Sequence, residues 1–327
     1  MNPIPSQDVA ADSLPGLTPP TREDALPLMA KEFARPSAVR AFAEMGLTWA
    51  VIAAIEAAYL AYPAPWVFLI AFALVASRQY ALLILMHDAF HSLFHPNRHV
   101  NDLAGVWLLG APCGSSFWGS RASHLEHHRK LGVEADPDLF LYSAGPPREK
   151  RTLAAFTKHF AFLMLGEQLL YTHFGGAKGQ PGSLGRKLRN VAPRLIPVAI
   201  AQLAILGVFA AAGSWTVYFT LWVLPLLTLA VLFNGIRAFC DHANPSDQPG
   251  DEVHRLVSYI SNPIERFFLA PYHMNFHAEH HLFPYVPHYH LPRVRQKLQT
   301  SREYNAAIQW REGYLRFVRE FLQAPEA

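Results

Sequence analysis

Histidine is the residue type that stands out in this chain, with 17 copies against 28 lysines and arginines. Eight of these histidines fall in three short clusters: His87-Asp-Ala-Phe-His91, His124-Leu-Glu-His127-His128 and His277-Ala-Glu-His280-His281. Residues three or four positions apart lie on the same face of a helix, so the two imidazoles of the first cluster can reach one metal ion, and those of the other two clusters lie near one another. Neutral imidazole nitrogens suit Fe, Zn, Cu and Ni. The spacing therefore predicts that the three clusters bind metal.

The number of histidines indicates two metal ions rather than one. A single zinc ion takes three or four protein ligands, and eight imidazoles exceed that number. Acidic residues adjoin the histidines without replacing them: Asp88 in the first cluster, Glu126 in the second and Glu279 in the third. Such carboxylates commonly accept hydrogen bonds from the outer N–H groups of ligand imidazoles, which is the role we expect here. The alternative for each acid is a solvated position on a polar surface.

The composition of the chain points to a lipid environment for these clusters. Hydrophobic residues make up 51% of the chain and charged residues only 16%. Soluble proteins average about 25% charged residues. The formal net charge of +3 is too small to indicate nucleic-acid binding, and a basic membrane-facing side accounts for it better. We therefore expect an integral membrane protein.

Four apolar stretches can form helices that cross a bilayer core, which takes about 20 residues. They are residues 46–62, 65–86, 195–212 and 215–235. Short turns at residues 63–65 and 213–214 join them in pairs, which predicts two helical hairpins. Glu56 and Arg78 interrupt the first two stretches. We expect Arg78 to extend towards the polar end of its helix, whereas Glu56 has no predicted role.

The distribution of basic residues orients these helices. The two tight turns contain neither lysine nor arginine, whereas the opposite side collects three basic groups and the basic C-terminal stretch. The groups are Lys31, Arg35 and Arg40; Arg121, Arg129 and Lys130; and Arg186, Lys187, Arg189 and Arg194. Cytoplasmic loops carry such an excess, so both termini and the long middle segment should be cytoplasmic. The first histidine cluster ends the second helix and the third follows the fourth helix, so all eight histidines can meet on this side.

The predicted fold class is an all-α integral membrane protein, with four transmembrane helices as two hairpins and a cytoplasmic helical cap that holds the metal site. Residues 1–35 are expected to form a flexible tail, because they are polar and rich in proline. Residues 36–327 are expected to form a single membrane domain. Within it, residues 175–185 read as a glycine-rich linker and residues 291–323 as one amphipathic helix.

The three histidine clusters and the two hairpins together resemble the membrane fatty acid desaturase superfamily. The stretch His277–Pro284 (HAEHHLFP), with the Val-Pro pair at 286–287 and the Leu-Pro pair at 291–292, is similar to the C-terminal signature of that superfamily. The resemblance covers about residues 40–300. It implies two iron ions (Fe2+/Fe3+) held by the histidines, with O2 as co-substrate. It also implies a separate electron donor, ferredoxin-like or cytochrome b5-like, which we expect to dock on the basic cytoplasmic face.

The same resemblance supplies a ninth ligand. Members of the superfamily often carry an Arg-x-x-x-(Asp/Glu)-His stretch just beyond the last membrane helix, and Arg237-Ala-Phe-Cys-Asp241-His242 matches it. This implies that His242 binds iron and that Asp241 accepts a hydrogen bond from its ring. The implied ligand set is His87, His91, His124, His127, His128, His242, His277, His280 and His281. His95, one turn beyond the first cluster, is not expected to be a ligand.

The predicted function is O2-dependent oxidation of an unactivated C–H bond in a lipid-like substrate, with fatty acyl desaturation favoured by the likeness of the third cluster. Hydroxylation or ketolation of a lipid, a carotenoid or a small specialised metabolite needs the same irons and is the alternative. An alternative of another class is a membrane metal-binding or metal-transport protein with no redox role.

Two departures from the superfamily pattern bear on the predicted substrate class and electron donor. The first cluster has three residues between its histidines, where animal-type acyl-CoA desaturases have four. The chain also has no His-Pro-Gly-Gly run, which would mark a fused cytochrome b5. An acyl-CoA substrate is therefore disfavoured, and the electron donor is expected to be a separate protein.

Overall fold

A computed structural model describes residues 32–142, 152–167, 184–243, 256–300 and 308–323 of the chain. Most of the predicted tail (residues 1–35) and most of the predicted linker (residues 175–185) lie outside the described residues. The described residues fall into two compact units. Unit 1 comprises residues 32–35, 123–142, 152–159, 236–243, 256–300 and 308–323. Unit 2 comprises residues 36–122, 160–167 and 184–235.

Helices account for most of the described residues. In chain order they are α1 (Ala38–Ala61), α2 (Pro65–Phe90), α3 (Arg98–Ala104), α4 (Phe117–Lys130), α5 (Leu139–Tyr142), α6 (Leu153–Phe162), α7 (Leu184–Ala211), α8 (Trp215–His242), α9 (Pro263–Phe268), α10 (His277–Leu282), α11 (Leu291–Leu298) and α12 (Tyr314–Gln323). Two short strands are β1 (Val257–Ile260) and β2 (Gln309–Glu312).

Four helical stretches are long and apolar enough to cross a membrane: Ala38–Ala61, Pro65–Phe90, Ala192–Ala211 and Trp215–His242. They confirm the four apolar helices predicted from the sequence. The first begins earlier than predicted because Ser37 caps it, its side-chain oxygen accepting a hydrogen bond from the N–H of Arg40 at 3.4 Å. The second begins at Pro65, whose missing N–H costs nothing in the first turn of a helix.

Helix α7 exposes large apolar side chains along its length. Leu203 is 67% exposed and Val208 is 70% exposed. Contiguous apolar surface of this kind is rare on soluble proteins. The exposure is what a helix with a lipid-facing side requires.

Helix α2 forms the core of unit 2, where Val75, Ala76, Ala81 and Leu82 are completely buried. Helix α1 packs against α2, and Trp49 of α1 stacks on Trp222 of α8 with 5.6 Å between the ring centroids. Helix α8 has wide π-helical turns on both sides of Pro225, which lacks an N–H. The side-chain amide of Gln79 in α2 donates to a carbonyl in this region, that of Trp222, at 2.8 Å.

The segment between α3 and α4 continues as a π-helical turn, Gly105–Gly110, and a 3-10 turn, Ala111–Cys113. The amide of Gln202 in α7 donates to the carbonyls of Ala111 and Pro112, at 3.1 and 2.7 Å. A Cβ placed on Gly105 would lie 2.3 Å from the ring of Phe117, so only glycine fits there. These contacts hold the segment that leads into α4, the helix that carries the second histidine motif.

The predicted amphipathic helix over residues 291–323 is wrong. The described residues there form α11, then β2, then α12. Strand β2 pairs in parallel with β1, with Val257 opposite Gln309, and Gly313 ends it with a φ of +70°. Pairing with a strand distant in sequence outweighs the local helical pattern, and the all-α prediction did not include these strands.

Strand β1 holds the beginning of α10, which carries the third histidine cluster. The N–H of Tyr259 donates to the carbonyl of Asn275 at 2.8 Å, and the Asn275 side chain donates back to the Tyr259 carbonyl at 2.9 Å. The hydroxyl of Ser258 accepts from the N–H of Ala278 at 3.0 Å. The turn before α10 includes Tyr272 and His273 with φ values of 53° and 59°, a region that non-glycine residues rarely adopt. The small sheet therefore sets the start and direction of α10.

Candidate metal centre

Four buried histidines of unit 1 form one group, which we call cluster B: His127, His242, His277 and His281. One ring nitrogen from each lies within 4.8 Å of those of the other three. The Nε2 atom of His277 is 3.0 Å from Nε2 of His242 and 3.0 Å from Nε2 of His281. Helices α4, α8 and α10 thus direct imidazole nitrogens to one point.

Three further histidines of unit 1 form a second group, cluster A: His124, His128 and His280. The Nε2 atom of His128 is 3.0 Å from Nε2 of His124 and 3.0 Å from Nε2 of His280. Clusters A and B adjoin, because the rings of His128 and His281 stack with 4.1 Å between their centroids. The structure therefore brings seven of the predicted ligands together in unit 1, His242 among them.

The second and third histidine motifs, in α4 and α10, are each shared between the two clusters. In α4, His124 and His128 belong to cluster A, and His127 belongs to cluster B. In α10 the arrangement is reversed, with His277 and His281 in cluster B and His280 in cluster A. Histidines four residues apart thus share a cluster, while the one between them turns to the other. Helices α4 and α10 thus each contribute histidines to two adjoining sites.

The donor geometry fits a metal ion in each cluster. Two nitrogens that each lie about 2.1 Å from one metal ion, with a right angle between the two bonds, are about 3.0 Å apart. This is the separation between the Nε2 atoms in both clusters. A neutral imidazole has one N–H, so Nε2 of His277 cannot hydrogen-bond well to two other Nε2 atoms at once. A shared metal ion satisfies all these nitrogens.

The protonation of His281 in cluster B also suits a metal. Burial lowers the pKa of His281 well below its ordinary value, and repulsion from His128 and His277 lowers it further. An unprotonated nitrogen is what a metal requires, so His281 is available as a ligand at neutral pH. For His127, burial lowers the pKa, but the hydrogen bond and the negative charge of Asp136 outweigh it and raise that pKa.

Asp136 was not among the predicted site residues, and its carboxylate contacts His127. Nδ1 of His127 lies 2.9 Å from Oδ1 and 3.1 Å from Oδ2 of Asp136. The side chain of Asp136 is completely buried. The sequence signal is an Asp-Pro-Asp run shortly after the second histidine motif. An acid that follows α4 by so few residues can contact that helix only if the chain makes a tight turn. Burial also raises the pKa of Asp138 in that run.

Asp241 lies beside a different histidine from the one implied. Its Oδ2 accepts a hydrogen bond from Nη1 of Arg237 at 2.7 Å and is 3.8 Å from Nδ1 of His277. The same Nη1 is 3.4 Å from Nδ1 of His277. The Arg237–Asp241 pair therefore lies against the third histidine motif rather than pairing with His242.

In the part of the chain that the structure describes, the hydrogen-bond and ion-pair partners of the two motif glutamates are not imidazoles. Glu126 pairs with Lys130 at 2.7 Å and with Arg129 at 3.3 Å, and its side chain is 36% exposed. Glu279 is completely buried and accepts from the hydroxyl of Ser258 at 2.5 Å. Burial raises the pKa of Glu279 to about 7. Glu126 thus lies on a solvated face, and Glu279 anchors α10 to β1.

The first histidine motif lies in unit 2, at the end of α2. His87 and Asp88 are buried, and the rings of His87 and His91 are 5.4 Å apart between centroids. The helix ends at Phe90, and the side chain of Asn101 donates to the carbonyl of Ala89 at 2.9 Å, close to the end of the helix. These contacts hold both imidazoles at the end of an apolar helix.

Histidines outside the three motifs make other contacts. The ring of His95 accepts from the N–H of Asn97 at 2.9 Å in the loop after α2, and His99 is exposed. His288 packs against Tyr272 and His290 against Phe33, with ring centroids 5.2 and 5.4 Å apart. Among the described residues, none of these four histidines belongs to a group that could hold a metal ion.

Comparisons with known proteins give the same picture. A family model described as "Fatty acid desaturase" matches residues 63–312. A beta-carotene ketolase of Paracoccus sp. is 28% identical over 67% of this chain and 76% of its own length. Dihydrorhizobitoxine desaturase of Bradyrhizobium elkanii is 24% identical over 84% of this chain and 80% of its own length.

An sn-1 acyl-lipid omega-3 desaturase (ferredoxin) of Nostoc sp. is 24% identical over 78% of this chain and 72% of its own length. These relatives are named for different reactions and substrates, so percent sequence identity alone does not assign a reaction to this chain. The family match, in contrast, spans the second to fourth apolar helices and every histidine motif. The chain therefore belongs to the fatty acid desaturase family and is a membrane oxidoreductase.

Proposed function

We propose that this protein holds two iron ions and uses O2 to oxidise an unactivated C–H bond of a lipid-like substrate. The observation that carries the proposal is the pair of adjoining buried clusters in unit 1, where seven imidazoles stand at metal-ligand separations. Nitrogen-rich sites of this kind suit iron among other metals, and the family favours iron. Two metals, rather than one, account for clusters that share helices but point to separate centres.

The first iron would complete its ligand set with the first histidine motif. Cluster A supplies three imidazoles, and His87 and His91 would add two more. Their spacing of four residues at the end of a membrane helix supports this assignment. Cluster B would hold the second iron with its four histidines. The nine-histidine set is thus proposed as a whole.

Iron would supply the redox chemistry, the activation of O2 towards a C–H bond. The residues of this chain hold and orient the metals, keep the site buried and position the substrate beside it. Desaturation consumes one O2, two electrons and two protons; the substrate loses two hydrogens, and two water molecules form. The two electrons would come from a separate donor protein, in keeping with a relative named as an acyl-lipid omega-3 desaturase (ferredoxin).

Fatty acyl desaturation is the reaction we favour. It is supported by the family and by relatives named as acyl-lipid desaturases. Ketolation is the second candidate, because a relative at 28% identity is named as a beta-carotene ketolase. The desaturase of Bradyrhizobium elkanii, named for dihydrorhizobitoxine, keeps a small specialised metabolite among the candidates. All three reactions would use the same histidine clusters.

We also propose the membrane arrangement. Residues 36–327 form one membrane domain, with the four apolar helices as two hairpins and with both termini and the metal site on the cytoplasmic side. The absence of lysine and arginine from the turns at residues 63–65 and 213–214 supports this orientation. A separate ferredoxin-like or cytochrome b5-like donor would dock on the basic side, where Arg129 and Lys130 of α4 are exposed.

Expression in a host that supplies a suitable donor, followed by mass analysis of its lipids and carotenoids, tests the function. Loss of two hydrogens from an acyl chain is the expected result. Gain of one oxygen would indicate hydroxylation, and gain of one oxygen with loss of two hydrogens would indicate ketolation. No O2-dependent product in any host, together with zinc in place of iron, would leave a non-redox metal protein as the better account.

The variant His124→Ala gives the matched test of the ligand assignment. We expect it to lose iron from cluster A and all product formation. His99→Ala is the control, because His99 is exposed and belongs to no cluster. Full turnover by His124→Ala in reconstituted protein would refute the ligand role of His124.

A further inference from the structure

The loop that follows α4 folds back on the helix and returns a carboxylate to His127. The N–H of Val133 donates to the carbonyl of Lys130 at 3.2 Å, and the N–H of Asp136 donates to the carbonyl of Val133 at 2.9 Å. Gly132 takes a φ of +82°, which glycine adopts without strain. Asp136 thereby lies against the imidazole of a residue only nine positions earlier. The contact between His127 and Asp136 is therefore local and does not depend on distant elements.

Asp136 is surrounded by hydrogen-bond donors. Its Oδ1 accepts from the N–H of Asp138 at 2.9 Å, and its Oδ2 accepts from the N–H of Gly132 at 3.2 Å. The hydroxyl of Tyr142 also donates to Oδ2 and itself accepts from the N–H of Gly132 at 2.9 Å. Two backbone N–H groups and one hydroxyl thus fix the carboxylate before it meets the histidine.

The arrangement assigns the proton shared with His127. An ionised carboxylate only accepts hydrogen bonds, and Asp136 already accepts from three other donors. The proton between Asp136 and Nδ1 of His127 therefore lies on the ring nitrogen. A ring protonated at Nδ1 has its lone pair on Nε2, the atom that remains to face cluster B. The ring of His127 is 4.9 Å from that of His242 and 5.2 Å from that of His281, between centroids.

We infer that Asp136, held by Tyr142 and the loop N–H groups, is a positioning residue that fixes the tautomer and orientation of His127 for the metal in cluster B. The inference rests on the proposed metal-binding function of the clusters and extends it. A hydrogen-bonded carboxylate also makes the imidazole a stronger donor to its metal. The iron of cluster B should therefore depend on Asp136, whereas the iron of cluster A should not.

Asp136→Asn is the primary test in the full-length protein, purified in detergent and titrated anaerobically with Fe2+ against a competing chelator. An amide keeps the size of the side chain but removes its charge and turns an NH2 group towards at least one donor. We expect one of the two irons to bind about ten- to a hundredfold more weakly, because losses of that size follow removal of such carboxylate partners. The other iron should bind as in the unchanged protein.

Two further variants separate positioning from general damage. Tyr142→Phe keeps the carboxylate and removes one donor to it, so a smaller loss at the same single iron is expected. Glu126→Gln is the matched control, because Glu126 adjoins His127 in sequence but pairs with Lys130 and Arg129 on the surface. Glu126→Gln should bind both irons unchanged.

A spectroscopic reading completes the test. At saturating 57Fe, the Mössbauer spectrum of Asp136→Asn should show one altered iron signal and one unaltered signal. Equal affinity for both irons and an unchanged spectrum would overturn the role of Asp136. Equal weakening of both irons would also overturn it, since that indicates a structural role. If Asp136→Asn does not fold, the same criteria apply to Tyr142→Phe. If the unchanged protein binds no iron, the proposed function itself fails, and this inference fails with it.

Discussion

At the scale of single residues, the division of neighbouring histidines between two clusters follows from helix geometry. Each residue turns a helix by about 100°, so positions four apart differ by about 40° and share a direction. His127 and His128 are adjacent and therefore point about 100° apart, into clusters B and A. The spacing of the motif thus determines which histidines share a cluster, a consequence that goes beyond the prediction that they lie near one another.

Asp136 marks the limit of prediction at this scale. Its contact with His127 depends on how the loop after α4 turns at Gly132, and no periodic pattern encodes that turn. Glu126 shows the opposite limit. It shares the motif spacing of Glu279, yet one is exposed and the other is completely buried. Burial depends on the elements packed around each helix, which spacing does not describe.

The buried carboxyl of Glu279 leads to a prediction about pH. Burial raises its pKa to about 7 in the folded protein from an ordinary value of 4.5. The folded state therefore favours the neutral acid, and folding stability should fall as pH rises from about 4.5 to about 7. The shift corresponds to roughly 3 kcal/mol.

Glu279→Gln keeps a hydrogen-bonding group beside Ser258 and removes the ionisation. We expect the metal-free variant to lose less stability between about pH 5 and about pH 8 than the unchanged metal-free protein. Thermal unfolding in detergent at both pH values measures this. An equal decline in the two proteins would contradict a neutral Glu279 in the folded state.

At the scale of elements, the length of the apolar stretches predicted the four long helices, because length and hydropathy are properties of a local stretch of sequence. The strands β1 and β2 were missed, since each has four residues and they pair across about fifty positions of the chain. They matter for the site, because β1 holds the start of α10 through Ser258 and Asn275. The third histidine motif is thus positioned by a feature that the local pattern did not reveal.

The close packing at Gly105 gives the test at this scale. An alanine there would place its Cβ 2.3 Å from the ring of Phe117, the first residue of α4. Gly105→Ala should destabilise the protein by about 1–3 kcal/mol, the usual cost of overpacking. The matched control is Gly207→Ala in α7, where a Cβ would meet nothing within 4 Å. That control should be neutral or slightly stabilising, because alanine favours helix. Similar unfolding temperatures for the two variants would count against the packing described for Gly105.

At the scale of the whole molecule, the composition and the family agree on a membrane oxidoreductase. The low charged fraction predicted the lipid environment, and the four apolar helices and the family match confirm its general form. Substrate identity does not follow at this scale. The relatives are named for beta-carotene, dihydrorhizobitoxine and acyl-lipid substrates, and their identities to this chain are similar, at 28%, 24% and 24%. The same centre can serve different substrates, so the histidines do not encode the choice.

Sidedness can be tested by labelling single introduced cysteines in intact cells with a membrane-impermeant maleimide. The native Cys113 and Cys240 are buried and give a low background. Tyr62→Cys and Ala212→Cys, both at exposed positions beside the tight turns, should react without permeabilisation. Lys130→Cys should react only after permeabilisation. The reverse pattern would place the metal clusters on the outer side.

The central claim is that the histidine clusters hold two irons, and metal analysis of the purified, anaerobically iron-loaded protein tests it most directly. We predict about two tightly bound irons per chain, decreasing to about one in His242→Ala, since that histidine belongs to cluster B. Zinc alone, or at most one iron per chain in the unchanged protein, would contradict the account.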